Sequence, residues 1–196
     1  MKRIVEATPV VLASSSPRRQ ELLRLLCSNF EVIPSQIDEI QQPGESPCEM
    51  VLRLAKEKAM AVQPIRPDSI VIAADTVVVC DGFILGKPTN AEEARSMLRR
   101  LGGRTHEVFT GLCVVRGETV AVDVASTIVK FAPISNEEIE AYLETGEPFD
   151  KAGGYASQGI AARFIDGIEG CYFNVVGLPV SLLYRMLKTR EFHFNG

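Results

Sequence analysis

SIVIAADTVVVC, residues 69–80, is a long β-rich stretch, and it decides the fold. Its valine and isoleucine residues favour an extended strand. Asp81-Gly82 follows directly, and this pair between two apolar runs is a strong signal for a two-residue β-hairpin turn. The sequence therefore predicts a strand over Ser69–Cys80 that turns back through Phe83–Leu85.

The segments on either side alternate between predicted strands and predicted helices. Upstream, we expect a strand at Val10–Ala13, a helix from Arg18 to about Cys27 after an N-cap at Ser16, a strand at Phe30–Pro34 and a helix from Ser46 to about Val62. Downstream, we expect a helix from Asn90 to Gly102, strands at Thr105–Val115 and Thr119–Phe131, a helix from Ser135 to about Glu144 and a last helix from Pro179 to about Lys188. Interleaved helices and strands followed by hairpins predict an α/β protein with a mixed sheet. Because no linker interrupts residues 1–196, we expect one domain, with two lobes around a central cleft.

Overall composition narrows the classes of function. The chain has 196 residues, 46% of them hydrophobic and 23% charged, which is typical of a folded domain rather than a disordered chain. A formal net charge of -4 disfavours a nucleic-acid-binding module, so the cations for any polyanionic ligand must be clustered locally. Five widely spaced cysteines without a CxxC motif predict reduced thiols in a cytoplasmic protein. We expect neither a signal peptide nor a membrane-spanning segment.

The segment Ser14–Arg19 lies between a predicted strand and a predicted helix. A helix N-terminus offers unpaired backbone N–H groups and the positive end of the helix dipole. The hydroxyl of Ser14 and the guanidinium groups of Arg18 and Arg19 come to the same place, and arginine grips phosphate oxygens in bidentate fashion. The pattern is that of a phosphate site; the alternative is an ordinary capped helix with exposed arginines.

Lys58 lies on the apolar face of the predicted second helix. It follows Val51 by seven residues and Leu54 by four, whereas Lys56 lies on the opposite face. A cation on an inner face often extends its amine to the rim of the core. The other possibility is that Lys58 points into a cleft, where a polyphosphate would use it.

Asp75 is the single charged residue in the apolar strand, and Thr76 follows it. An unpaired carboxylate in a buried strand is costly, so such a group is normally paired, bound to a metal or placed at a cleft. Asp75 is therefore the leading candidate for a general base or a metal ligand. The structural alternative is an aspartate at a strand end that is satisfied by local backbone.

The glycine-rich segment Glu147–Gly159 mixes acidic residues, Lys151 and Gln158 with glycines that let a backbone approach a ligand closely. It is either a functional loop or merely a structural, turn-rich one. The chain has no GxxxxGK[ST] and no GxGxxG, which excludes ordinary P-loop and Rossmann sites. Upstream, Asp38-Glu39 could supply a carboxylate to a metal, or form a solvated turn.

Several of these segments together resemble the Maf family. The resemblance runs from Leu12 to about Tyr184. It rests on seven motifs in order: LASSSPRR (Leu12–Arg19), RLAKEKA (Arg53–Ala59), AADTVV (Ala73–Val78), GKP (Gly86–Pro88), LGGRTHEVFTG (Leu101–Gly111), DKAGGYASQG (Asp150–Gly159) and NVVGLP (Asn174–Pro179). Each motif is weak alone, but their common order makes the match strong.

The resemblance implies a fold similar to that of the house-cleaning, ITPase-like nucleotide pyrophosphatases. It also implies a homodimer that cleaves a nucleoside triphosphate between its α and β phosphates with a divalent cation, Mg²⁺ or Mn²⁺. Asp75 would be the proton acceptor and, with Glu39, a metal ligand. The phosphate and metal region would be lined by Ser14, Arg19, Glu39, Lys58 and Lys87.

The resemblance also indicates a base preference. Arg18 after the proline, Thr76 after the aspartate and Gln158 in the glycine-rich loop are similar to the branch of the family that takes dTTP and UTP. A glutamine amide offers a donor and an acceptor together, which matches the O4 and N3–H edge of uracil or thymine. The alternatives are a pyrophosphatase for 7-methyl-GTP, whose branch tends to carry a Trp that this chain lacks, and a non-enzymatic, nucleotide-binding regulator of cell division.

Overall fold

The computed structural model describes residues 8–189 and Phe192. Its strands are β1 (Val10–Leu12), β2 (Glu31–Val32), β3 (Ile70–Cys80), β4 (Phe83–Leu85), β5 (Thr105–Arg116), β6 (Thr119–Phe131) and β7 (Ile165–Glu169). Its α-helices are α1 (Pro17–Leu23), α2 (Pro47–Val62), α3 (Ala91–Leu101), α4 (Asn136–Leu143), α5 (Tyr172–Val176) and α6 (Val180–Leu187). No helix within these residues is long and apolar enough to cross a membrane.

All seven strands belong to one sheet, in the order β2-β1-β3-β5-β6-β7, with β4 paired to β3. β1 runs parallel to β2 and to β3, and the other pairings are antiparallel. The predicted mixed α/β sheet is therefore confirmed. A two-residue turn at Asp81-Gly82 joins β3 to the antiparallel β4. Both turn residues adopt positive φ, as a type I′ hairpin requires.

One edge of β3 is interrupted. β5 covers one side of β3 from residue 71 to residue 79. On the other side, β1 pairs as far as Ile72 and β4 pairs from Val78 onward. Between them, residues 73–77 have no strand neighbour on that side within the described chain. The loops that leave β1 and β4 therefore meet over Asp75 and Thr76.

Alternation along β3 sends its side chains to two different layers. Val71 and Ala73 pack against α2, in a cluster that includes Ala55. The other face carries two apolar clusters. One joins Ile72 to α1 and α6, and the second joins Val78 to α3 and α4. The two clusters meet this face at different ends of β3, which gives the two predicted lobes with a cleft between them.

The sequence located most elements to within a few residues and missed two. α1 ends at Leu23, about four residues before the predicted end. β7 and α5 both fall in segments for which no strand or helix was predicted. β7 reads IDGIE without a buried face, and α5 has only five residues, so neither carries a periodic apolar pattern.

Gly111 allows α2 to lie directly on the sheet. It pairs with Asp75 across β3 and β5, and a Cβ atom built on it would overlap the Val51 carbonyl group and lie 2.8 Å from the backbone nitrogen of Leu52. We expect Gly111→Ala to displace α2, to lower the free energy of unfolding by about 1–3 kcal/mol and to impair any activity that depends on Lys58.

Chemical denaturation and a turnover assay test this prediction, with Gly117→Ala as the control. Gly117 lies in the turn between β5 and β6. A Cβ built there meets nothing within 4 Å, although its φ of 56° adds some strain. If Gly111→Ala were no more destabilising than Gly117→Ala, the close approach of α2 would not be essential.

Candidate active site

Two carboxylates converge on one buried ammonium group at the open edge of β3. Lys58 Nζ donates to Asp75 Oδ1 at 2.5 Å and forms an ion pair with Glu39 Oε1 at 2.5 Å. Lys58 and Asp75 are both 5% exposed, whereas Lys56 is exposed, as the helical spacing predicts. Lys58 lies on α2, whose start is fixed by a capping box in which the Ser46 hydroxyl accepts from the N–H of Glu49.

Arg19 occupies the other face of the same edge and is held by three acceptors. Its Nε donates to the Gly177 carbonyl oxygen at 2.9 Å, one terminal nitrogen donates to Thr76 Oγ1 at 3.0 Å, and the other to Ser14 Oγ at 3.4 Å. Gly177 ends α5 with a φ of 116°, a conformation that suits glycine. Arg19 is thus oriented before any ligand arrives and keeps further N–H groups to offer.

Electrostatic coupling links these two faces. Burial lowers the pKa of Arg19, while the negative charges of Asp75 and Glu39 oppose that shift. Burial acts to raise the pKa of Glu39, but its hydrogen bond to Lys58 and the charges of Lys58, Lys87 and Arg19 lower it overall. Glu39 is therefore ionised at neutral pH, and the exposure of 46% of its side chain to water favours the same form.

A cleft of about 280 Å³ opens beside this edge, on the Arg19 face. Arg18, Arg19 and Lys87 line it on the polar side, where Lys87 is exposed and follows β4. Arg18 also faces Asp150. Burial acts to raise the pKa of that carboxyl, but Lys151 and then Arg18 lower it overall.

Of the sequence-predicted residues, Gln158 is placed apart from the rest. Ser14, Arg19, Glu39, Lys58, Asp75, Thr76 and Lys87 form one coupled group, and Arg18 lines the adjoining cleft. Gln158 is exposed on the turn after Ser157 and does not line the cleft.

Sequence reasoning did not single out two buried residues, Thr110 and Asn174, that hydrogen-bond to the elements carrying the site. Thr110 lies opposite Thr76 and shares a hydrogen bond of 2.9 Å with it. Asn174 is fully buried and donates to the Val108 carbonyl oxygen and to Thr127 Oγ1, which anchors the segment leading to Gly177. Both residues lie within motifs that carry the family resemblance, LGGRTHEVFTG for Thr110 and NVVGLP for Asn174, but only the fold shows what their side chains contact.

The donor set permits one kind of metal site. No group of three or more His, Cys, Asp or Glu side chains within the described residues could enclose a cation. Asp75 and Glu39 nevertheless aim oxygens at a common point, where Lys58 Nζ now lies. Mg²⁺ is commonly held by one or two carboxylates and completed by substrate phosphates and water. The residues therefore fit a metal that is bound together with a phosphate ligand.

The fold and the site define an α/β protein whose anion-binding cleft lies at a break in the edge of its sheet. The sequence pattern of the family described as "Maf-like protein" matches residues 9–190. This chain therefore belongs to the Maf family.

Curated relatives extend this finding over nearly the whole chain. A "dTTP/UTP pyrophosphatase" of Symbiobacterium thermophilum is 52% identical over 178 residues, which cover 91% of this chain and 92% of that protein. A protein of the same name from Desulforamulus reducens is 52% identical over 182 residues, which cover 92% and 95%. Among solved structures, the Ham1 protein of Staphylococcus aureus matches with a TM-score of 0.55 at 15% identity, over 92% of this chain and 98% of that one. That likeness concerns the fold alone and agrees with the predicted architecture.

Proposed function

We propose that this protein hydrolyses dTTP and UTP to the nucleoside monophosphate and pyrophosphate. The proposal draws on the relatives of that name, which are about half identical and are covered over more than nine-tenths of their length. The structural observation that carries it is the Lys58 bridge between Asp75 and Glu39, beside the preorganised Arg19. A protein that only bound a nucleotide would not need the buried carboxylate.

In this proposal the cations hold the polyphosphate. Arg19 and Lys87 neutralise phosphate oxygens, and Ser14 and Arg18 extend the same polar wall. Fixed positive groups of this kind stabilise the charge that develops when a phosphoanhydride bond breaks, at little reorganisation cost. Lys58 holds the carboxylates of Asp75 and Glu39 together until the substrate binds.

Asp75 is the proton acceptor for the attacking water in this proposal. A carboxylate is anionic at neutral pH and can take a proton from water as the oxygen attacks phosphorus. A divalent cation, Mg²⁺ or Mn²⁺, would be held by Asp75 and Glu39 and would supply further neutralisation of the phosphate charge. Thr76, fixed by Arg19 and Thr110, orients the polar end of the cleft.

The floor of the cleft changes from polar to apolar along the paired strands β3 and β5. Thr76 and Thr110 lie opposite each other below Arg19, and Val78 and Val108 form the next pair on the same face. We infer that the phosphates lie over the threonines and the base lies over the valines, because a base favours an apolar surface and phosphates favour cations. We also infer a homodimer from the family resemblance, a cytoplasmic location from the widely spaced cysteines and a single domain from the lack of a linker.

A nucleotide panel with Mg²⁺ or Mn²⁺ tests the proposed function. Incubation with dTTP or UTP should yield the monophosphate and pyrophosphate, and chromatography distinguishes these products from a diphosphate and free phosphate. Faster turnover of 7-methyl-GTP would place the protein in the other branch. Nucleotide binding without turnover would indicate a regulator.

Gln158 retains its proposed role in base selection. In the free protein Gln158 is exposed and does not line the cleft, so we infer that a bound base covers its amide. We then expect Gln158→Ala to lower the ratio of kcat/KM for dTTP over GTP by roughly tenfold, because a wrong base would leave that covered amide unpaired. Measuring that ratio in both enzymes checks the prediction. Equal losses on every nucleotide would instead assign Gln158 to the phosphates or to the loop.

A further inference from the structure

Ser157 carries a buried hydroxyl group that the protein does not use. Its residue is 9% exposed, and its Oγ atom has no hydrogen-bond partner within the described part of the chain. Its neighbours in the cleft wall are Ala156 and Tyr155, and Ser157 itself lines the cleft. Leaving a buried donor or acceptor unpaired is costly, so such a group calls for an explanation.

The place of Ser157 in the cleft indicates what it meets. The nearby Tyr155 hydroxyl already bonds to His106 Nε2 at 2.7 Å. Burial lowers the pKa of His106 to about 4, so its ring is neutral and the pair is an ordinary internal hydrogen bond at pH 7. The remaining wall here includes Val78 and Val108, which are apolar. Tyr155 packs in the same apolar cluster as Val78 and Val108, so Ser157, two residues further along the chain, carries its covered, unengaged hydroxyl in the apolar part of the cleft wall.

We propose that the Ser157 hydroxyl is a specificity-determining group that hydrogen-bonds to a carbonyl oxygen of the pyrimidine base. This inference rests on the proposed function, because it takes the bound ligand to be a nucleotide with its phosphates at Arg19. A serine hydroxyl can donate to a carbonyl oxygen, and rotation about χ1 is the movement that would bring the covered Oγ atom to the cleft. The ligand then satisfies a group that the free protein leaves unpaired.

Because the Ser157 hydroxyl has no partner in the protein, its removal should weaken ligand binding without lowering the stability of the fold. We expect Ser157→Ala to leave the melting temperature unchanged or raise it, since no internal hydrogen bond is lost. We expect the same change to weaken dTMP binding roughly fivefold, the effect of one neutral hydrogen bond. Inhibition by tripolyphosphate, which has neither base nor sugar, should not change.

Two further variants calibrate these measurements. Thr127→Val removes a buried hydroxyl that is fully used, since Thr127 Oγ1 donates to the Cys171 carbonyl oxygen and accepts from Cys171 N and Asn174 Nδ2, and it should lower the melting temperature. Ser181→Ala removes an exposed hydroxyl on α6 and should change neither quantity.

Calorimetry of dTMP binding, together with kcat/KM for dTTP and for its 2′,3′-dideoxy analogue, decides the question. A fivefold loss that persists with the dideoxy analogue supports a contact to the base. Loss of the effect with that analogue would assign the hydroxyl to the sugar and overturn the proposal. A lower melting temperature with unchanged dTMP binding would show a purely structural serine. If the wild-type protein bound dTMP but hydrolysed no nucleotide, the proposed function would fail while this inference stood.

Discussion

Asp75→Asn is expected to reduce kcat by about 10²-fold or more, the usual cost of losing a general base. Asparagine is close to isosteric but can neither accept the proton of water nor serve as an anionic metal ligand. The fold should survive, because the Asn side-chain oxygen can still accept from Lys58. Lys58 also keeps its ion pair with Glu39 at 2.5 Å. Nucleotide binding should be retained in part, since Arg19 and Lys87 are untouched.

Steady-state kinetics and thermal melting of the same preparation check this result. Asp123→Asn is the matched control, because Asp123 is an exposed strand aspartate whose Oδ1 accepts from the Val124 N–H, a bond that asparagine can keep. Near-full activity of Asp75→Asn would show that another group takes the proton. A collapse of the melting temperature would show instead that Asp75 is mainly structural.

Local sequence patterns were sufficient to predict most of the fold. The Asp81-Gly82 hairpin, the cap at Ser16 and the apolar run of β3 each depend on neighbours within a few residues, and each forms as expected. Helix periodicity likewise placed Lys58 on the inner face of α2. Each of these features depends on residues that are close together in the sequence, so a single sequence is enough to reveal it.

Long-range features of the site could not be predicted in this way. Nothing in the sequence states that β1 and β4 cover different parts of one edge of β3 and leave residues 73–77 open. The acceptor that Gly177 offers to Arg19 lies 158 residues further along the chain. Residue patterns and the family resemblance pointed to Lys58, Glu39 and Asp75 as separate positions, and only the fold shows that one ammonium group joins them.

Lys58→Ala is expected to reduce kcat/KM on the order of 100-fold, whereas Lys56→Ala should have little effect. Without Lys58 the proposed base Asp75 loses the hydrogen bond that positions it, and misplacing a catalytic group by about 1 Å can cost on the order of 100-fold. Lys58→Ala also leaves Asp75 and Glu39 facing each other without their shared counter-ion. Breaking a buried ion pair by deleting one partner destabilises a protein by about 3 kcal/mol or more, so the melting temperature should fall as well. Lys56 is exposed on the same helix and makes no such contact.

Lys58→Met distinguishes the ammonium group from the packing of the side chain, because it keeps most of the apolar length and removes the charge and its N–H donors. Activity of each variant is measured at a temperature where melting curves show the protein to be folded. Lys58→Met should remain about as inactive as Lys58→Ala, since the missing charge is common to both. If Lys58→Met recovered activity, packing of the side chain rather than its ammonium group would be what matters. Comparable losses from Lys56→Ala and Lys58→Ala would contradict the assignment of the inner face of α2 to the site.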